Sequence, residues 1–278
     1  MTPPGAGAVG KELAAVIVAC GGLGLRFGGS PSAGAGYRDE TGAGADSDAG
    51  VDVKQFLNIT GRPVLAHTLA IFERHPRVDF VVLVLPEEQL GKGRALAGGL
   101  WPDQGGQVFS KVRCIVAGGR DRQGSVANGL AALAGERRQG PVLIHDGVRP
   151  CTPDQVIDRV IDGVLLNGNA IPAIRLRDTV KRAGADGVVL ETIDRRELWQ
   201  VQTPQGFRME ELAEAYTEGR RRGLQVTDDA ALLEALGRRV CIVDGHPANI
   251  KLTWPEDVPL LEALLSNGAS ASSLQGDA

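Results

Sequence analysis

Apolar, β-branched runs alternate with segments of helical periodicity along most of the chain, the pattern of a mostly parallel sheet with helices on both faces. The runs predict strands over 14–20, 80–85, 112–116, 142–145, 170–174 and 240–243. Helical spacing predicts helices over 63–73, 125–134, 153–166, 210–221, 228–236 and 255–265. Such alternation builds an α/β, doubly wound fold, which takes its ligands beyond the carboxyl ends of its strands.

Two segments break the rhythm. Residues 28–51 are Gly, Ala, Ser and Asp with almost no large apolar side chain, so burial cannot offset their ordering entropy and a mobile low-complexity loop is expected. Residues 179–182 and 188–192 flank an Ala-Gly-Ala-Asp-Gly turn, a β-hairpin pattern inserted into an α/β chain. The expected organisation is a flexible N-terminus over 1–12, one domain over 13–265 carrying a hairpin arm at 178–196, and a disordered tail over 266–278.

With 43% hydrophobic and 23% charged residues in 278, the chain is too apolar to be wholly disordered. The balance of 30 basic against 34 acidic residues, net −4, provides no global field for a nucleic-acid backbone or an anionic membrane, so any bound anion must be held locally. The longest apolar stretches are strand-sized, and 1–10 has neither a basic n-region nor an apolar h-region, so no membrane span and no signal peptide are expected. Cys20, Cys114, Cys151 and Cys241 form no CxxC pair. Reduced, mostly buried thiols in a cytoplasmic protein are the expectation.

The first strand ends in Cys20-Gly21-Gly22-Leu23-Gly24-Leu25-Arg26, where glycines let backbone N–H groups face an anion and a guanidinium follows. Dinucleotide loops and simple tight turns share such a strand end. A dinucleotide site is disfavoured because Arg26-Phe27 stand where the third glycine belongs and the second strand runs into Pro86 rather than an acid; a Walker loop is disfavoured because no Gly-Lys-Ser/Thr follows. Lys54-Gln55 can return a second cation toward Arg26, a pairing suited to a triphosphate. Residues 118–126, Gly-Gly-Arg-Asp-Arg-Gln-Gly-Ser-Val, read as a strand-to-helix turn with Ser125 as a plausible N-cap.

The fourth strand ends in His145-Asp146-Gly147-Val148-Arg149-Pro150. An acid at that edge can hold a divalent metal or a substrate hydroxyl, or form a local salt bridge with Arg149. His145 reads as a structural histidine. Asp178-Thr179-Val180-Lys181 opens the hairpin and Asp194-Arg195-Arg196 closes it; Gln202-Thr203-Pro204-Gln205 reads as a loop, Thr227-Asp228-Asp229 as a helix cap, and Asn249-Ile250-Lys251-Leu252-Thr253 as an extended stretch.

In order, these motifs resemble the 2-C-methyl-D-erythritol 4-phosphate cytidylyltransferase family of the nucleotidyltransferases, over roughly residues 13–265. Departures are Cys20 and Gly21 in place of two alanines, Val53 in place of the proline before Lys54-Gln55, and the long 28–51 link. The resemblance implies a Rossmann-like nucleotidyltransferase fold with the hairpin as a dimerisation arm. It implies transfer of CMP from CTP to methylerythritol phosphate in isoprenoid precursor biosynthesis, with Mg²⁺ or another divalent cation held mostly by phosphates. Arg26, Lys54 and Lys251 would be catalytic; Gly22, Leu23, Gly24, Gly119 and Ser125 would lie against the nucleotide. Asp146, Arg149, Thr179, Arg195 and Thr203 would face the polyol phosphate, with Asp146 also near the metal and Thr179 and Arg195 reaching over from a second subunit of a homodimer. Ribitol 5-phosphate cytidylyltransferases share most of these motifs; a catalytically silent nucleotide-sensing module is the alternative of another class, and a nicotinamide oxidoreductase is weaker still.

Overall fold

The computed structural model describes residues 13–20, 53–102, 106–136 and 140–266. Strand β1 (Ala14–Ala19) is the centre of the molecule, and every residue in it is buried. Its side chains alternate between two cores: Ala14, Val16 and Val18 enter one, Ala15, Ile17 and Ala19 the other. Period two with both faces apolar is what a strand sandwiched between helical layers requires.

After the 3₁₀ turn Lys54–Phe56, a two-residue ribbon, β2 (Asn58–Ile59) and β3 (Arg62–Pro63), leads into α1 (Val64–Arg74). Then follow β4 (Val78–Leu85), α2 (Leu90–Ala97), β5 (Val112–Ala117), α3 (Arg122–Gly135), β6 (Pro141–Asp146), α4 (Asp154–Asn167) and β7 (Asn169–Arg175). The arm is β8 (Val180–Ala183) with β9 (Val189–Ile193); β10 (Trp199–Val201), β11 (Gln205–Arg208), α5 (Met209–Arg222), α6 (Ala230–Ala235), β12 (Ile242–Asp244) and α7 (Asp257–Ser266) complete the order. The principal sheet runs β10-β7-β11-β6-β1-β4-β5, with β12 beside β7.

The pairs β1–β4, β1–β6, β4–β5 and β7–β12 are parallel. The fold is therefore α/β with a mainly parallel centre, as expected. It departs from the expected winding at β11, which lies antiparallel between β6 and β7. The 202–205 segment, expected as a loop, thus leads straight into the sheet through a cis Thr203–Pro204 peptide. Helices α1, α2 and α4 supply one core and α3, α5 and α6 the other. A third, smaller cluster seats α7 on β2 and the β6–α4 loop through Ile59, Val148, Leu252 and Leu261.

The hairpin forms where expected, with Gly187 at φ +78° in its turn. Among the described residues β8 and β9 pair only with each other. No helix of the described residues is long and apolar enough to cross a membrane.

Candidate active site

Parallel alignment brings the carboxyl ends of β1, β4, β5 and β6 to one edge. The register sets Ala19 opposite Asp146 and Val84, and the chain stays together one residue further: Cys20 N–H donates to Val84 O at 2.9 Å, Gly147 N–H to Ala19 O at 3.0 Å and Gly118 N–H to Leu85 O at 2.7 Å. A cavity opens at this edge, lined by Cys20, Lys54, Gln55, Arg122, Asp146 and Lys251.

Asp146 is its focus. The residue is 7% exposed, yet Lys251 Nζ stands 3.0 Å and Arg149 Nε 3.2 Å from Oδ2, while Arg122 Nε stands 3.6 Å from Oδ1. Burial alone would raise the carboxyl's pKa; Lys251, Arg149 and Arg122 outweigh it and hold the group well below the usual carboxylate range. The local Asp146–Arg149 bridge is thus real, but it is one edge of a cluster with three cations around one carboxylate. Even with Asp229 paired to Arg122, positive charge is in excess at this edge.

Each cation arrives on a different segment of the chain. Lys54 opens the 3₁₀ turn, and its neighbour Gln55, almost fully buried, donates from Nε2 to Gln89 Oε1 at 2.7 Å, which fixes the turn against the end of β4. Arg149 also donates to the Asn249 carbonyl at 2.8 Å. The fully buried Asn249 donates to Thr203 O at 2.8 Å and accepts from the Thr152 hydroxyl at 2.8 Å, while Leu252 N–H donates to Val148 O at 2.9 Å. Lys251 therefore sits on a stretch clamped to the β6–α4 loop on both sides.

Beneath Asp146 runs a chain of hydrogen bonds. The Asp146 N–H donates to Thr203 Oγ1 at 3.1 Å, and that hydroxyl lies 3.0 Å from His145 Nδ1. Thr203 is buried, so the structure places it as a support of the Asp146 backbone. His145 is fully buried, with Phe72 edge-on at 5.0 Å. Burial first, against the pull of Asp146 and with Arg149 assisting, pushes its imidazole down to about 3. Unfolded histidine protonates near pH 6.5, so His145 leaves stability undiminished above that pH and erodes it as the pH falls toward 3, by at most about 1.4 kcal/mol per pH unit. Denaturant titrations between about pH 7 and pH 4 should show that slope, and His145→Gln should flatten it; an unchanged slope would remove His145 as its source.

The turn before α3 differs in detail from the expected capping. Asp121, not Ser125, is the N-cap, accepting from Gly124 N–H at 2.6 Å, and α3 begins at Arg122. Ser125 lies buried in the first turn, where its hydroxyl donates to Asp121 O at 2.8 Å and accepts from Gly119 N–H at 3.1 Å. A Cβ on Gly119 would stand 2.6 Å from the carbonyl carbon of Gly124, so only glycine lets the turn fold back on the helix start. This brings Gly119 and Ser125 together beside Arg122.

Arg122 is the site residue that motif reading left without a role. Its Nη2 donates to Asp229 Oδ2 at 2.7 Å, and Asp229, expected as a helix cap, is fully buried. Asp229 holds the N-cap position of α6 without a side-chain cap bond, and it is the Asp228 carboxylate that accepts from Ala231 N–H at 3.1 Å. Cys20, where the resemblance has alanine, lines the cavity as a neutral thiol whose pKa is pushed up by burial and then by Asp146.

Thr179 and Arg195 are exposed, at the foot of β8 and in the 3₁₀ turn after β9. The cluster around Asp146 is assembled without them. Gly22, Leu23, Gly24 and Arg26 lie outside the described residues, as do 1–12, 28–51 and the tail from 267. Asp146 is a poor fit to a metal ligand here, since Lys251 and Arg149 occupy Oδ2 and a divalent ion on Oδ1 would stand against the Arg122 guanidinium 3.6 Å away. Among the described residues no group of three or more His, Cys, Asp or Glu side chains could hold a metal ion.

The chain also matches known proteins along most of its length. A family model described as 2-C-methyl-D-erythritol 4-phosphate cytidylyltransferase matches residues 31–267. The chain is 42% identical over 226 residues to the 2-C-methyl-D-erythritol 4-phosphate cytidylyltransferase of Geotalea uraniireducens, covering 81% of this chain and 94% of that protein. The counterpart from Geobacillus kaustophilus is 41% identical over 227 residues, with the same coverage. Among solved structures, that of the Thermus thermophilus 2-C-methyl-D-erythritol 4-phosphate cytidylyltransferase superposes with a TM-score of 0.63 at 33% identity, covering 77% of this chain and 94% of that one. The 4-diphosphocytidyl-2C-methyl-D-erythritol synthase of Anaerococcus prevotii reaches a TM-score of 0.71 at 26% identity, covering 92% and 97%. With a cation-rich edge at the carboxyl ends of a mainly parallel sheet, and relatives that match along most of its length, the chain belongs to the 2-C-methyl-D-erythritol 4-phosphate cytidylyltransferase family.

Proposed function

We propose that this chain transfers CMP from CTP to 2-C-methyl-D-erythritol 4-phosphate, releasing pyrophosphate. The observation that carries the reading is the convergence of Arg122, Arg149 and Lys251 on Asp146, at the edge of a cavity that Lys54 also lines. In the reaction a phosphate oxygen of the polyol phosphate attacks the α-phosphorus of CTP, a new P–O bond forms, and the bond to the β-phosphate breaks with its electrons leaving on pyrophosphate. Positioning and charge neutralisation, not a covalent nucleophile, are what such a transfer asks of the protein.

Lys54, with Arg26, would hold the triphosphate and the leaving pyrophosphate. Gly22, Leu23, Gly24, Gly119 and Ser125 would lie against the nucleotide. Lys251 would leave Asp146 for the α-phosphate as charge develops there, and Arg149 with Asp146 would face the polyol. A divalent ion, Mg²⁺ among them, would enter on the nucleotide's own phosphates, given the engaged oxygens of Asp146. The arm supports a homodimeric reading: Thr179 and Arg195 are exposed on a hairpin whose strands pair with no others among the described residues, as a contribution to a second copy's polyol pocket requires.

Pyrophosphate release from CTP and Mg²⁺, with methylerythritol phosphate and ribitol 5-phosphate offered in parallel, tests the reading. Release with the first alone is expected. Release with the second alone would move the chain to the ribitol branch, and silence with both would overturn cytidylyl transfer.

A further inference from the structure

The acid at the start of α6 has no part in the proposed chemistry, yet it is more elaborately held than a fold alone needs. Asp229 is fully buried, and its two oxygens serve different partners: Arg122 Nη2 at 2.7 Å on Oδ2, and the Tyr216 hydroxyl, which donates to Oδ1 at 2.5 Å. The carboxylate comes from the turn before α6, the hydroxyl from α5 and the guanidinium from the first residue of α3. Tyr216 keeps its proton, because burial and then Asp229 both raise its pKa. It therefore always donates to Oδ1, which leaves Oδ2 turned toward Arg122.

The same guanidinium reaches Asp146 with Nε at 3.6 Å and lines the cavity beside Lys54 and Lys251. One edge of the fork is thus anchored on Asp229 while the other faces the reacting edge. An arginine side chain has many rotamers and is free to follow an incoming triphosphate unless something holds it. Buried ion pairs are often matched in stability by apolar packing, so a charged Arg–Asp–Tyr set beside an active site needs a reason beyond the fold.

We propose that Asp229, oriented by Tyr216, is a positioning residue that locks Arg122 at the cavity wall, so that Asp146 retains a fixed cation when Lys251 is drawn to the substrate phosphate. The inference deepens the cytidylyl-transfer reading and rests on it. Its consequence is that Asp229 acts on the site only through Arg122.

A double-mutant cycle reads this directly. Asp229→Asn, Arg122→Ala and the pair would be compared for kcat and KM in CMP transfer, for CTP affinity by calorimetry, and for thermal stability. Asp229→Asn is expected to lower kcat/KM by about tenfold in the native background and by less than about twofold when Arg122 is already alanine. Equal losses in both backgrounds would make Asp229 a purely structural residue and overturn the proposal, as would no loss in either. Tyr216→Phe, expected to give a smaller loss of about threefold with the same dependence on Arg122, serves where Asp229→Asn does not fold. If CTP binds but no CMP is transferred, the functional reading falls and the cycle on CTP affinity still decides the coupling; failure to bind CTP would overturn both.

Discussion

Lys251→Ala should lose at least about a hundredfold in kcat for CMP transfer while the protein stays folded. The loss is large because, in the proposed reaction, the ammonium meets negative charge that exists in full only at the transition state, and a contact of that kind acts on kcat rather than on CTP affinity. The fold survives because Lys251 is 38% exposed at its side chain, and Asp146 keeps Arg149 at 3.2 Å and Arg122 at 3.6 Å when the lysine is gone. A part-exposed ion pair of this sort contributes about 1 kcal/mol or less to stability. Steady-state kinetics beside a thermal melt make the check. Turnover within a few-fold of the native enzyme would remove Lys251 from the chemistry, and a collapsed melt would show that its role is structural.

The layers of the fold were legible because burial on both faces leaves its mark on every position of a strand: the alanines, valines and isoleucine of β1 alternate between two cores, and the sequence there contains nothing else. What escaped was structure decided by neighbours. Strand β11, Gln-Gly-Phe-Arg, follows a proline and holds one large apolar residue, so locally it reads as a loop; it is a strand because β6 and β7 flank it on both sides. Helix α2, Leu-Gly-Lys-Gly-Arg-Ala-Leu-Ala, has two glycines and weak periodicity, and it holds through Leu96 against the core. The site divides along the same line. Arg149 stands three residues from Asp146 and the bridge is visible in the motif, whereas Arg122 and Asp229 are 107 positions apart and each looks like a helix start. The Gly-Gly-x-x-Arg pattern did contain Arg122, and its recurrence in a family motif was the one signal that could have singled it out.

Asp146→Ala is expected to remove both stability and activity, and pH separates it from an ordinary cavity mutation. Taking away the buried carboxylate leaves Arg122 on Asp229 but strands Arg149 beside Lys251 with no anion, a situation that costs about 3 kcal/mol and lowers the melting temperature on the order of 10 °C. Asp146→Asn isolates the charge, since the amide keeps the volume and can still accept from Arg149. Folding holds the carboxyl's pKa below its unfolded value near 3.8, so its contribution is present in full above that pH and is lost as the pH falls through the folded value. The gap in stability between native protein and Asp146→Asn should therefore be widest at neutral pH and close below about pH 4, a region reachable by denaturant titration in acid. A gap that stays constant with pH would mean that the three cations do not depend on the charge of Asp146. A narrowing gap with a folded, inactive Asp146→Asn at pH 7 would mean that the anion which keeps Arg122, Arg149 and Lys251 together in the resting protein is also needed when Lys251 is called away to the substrate.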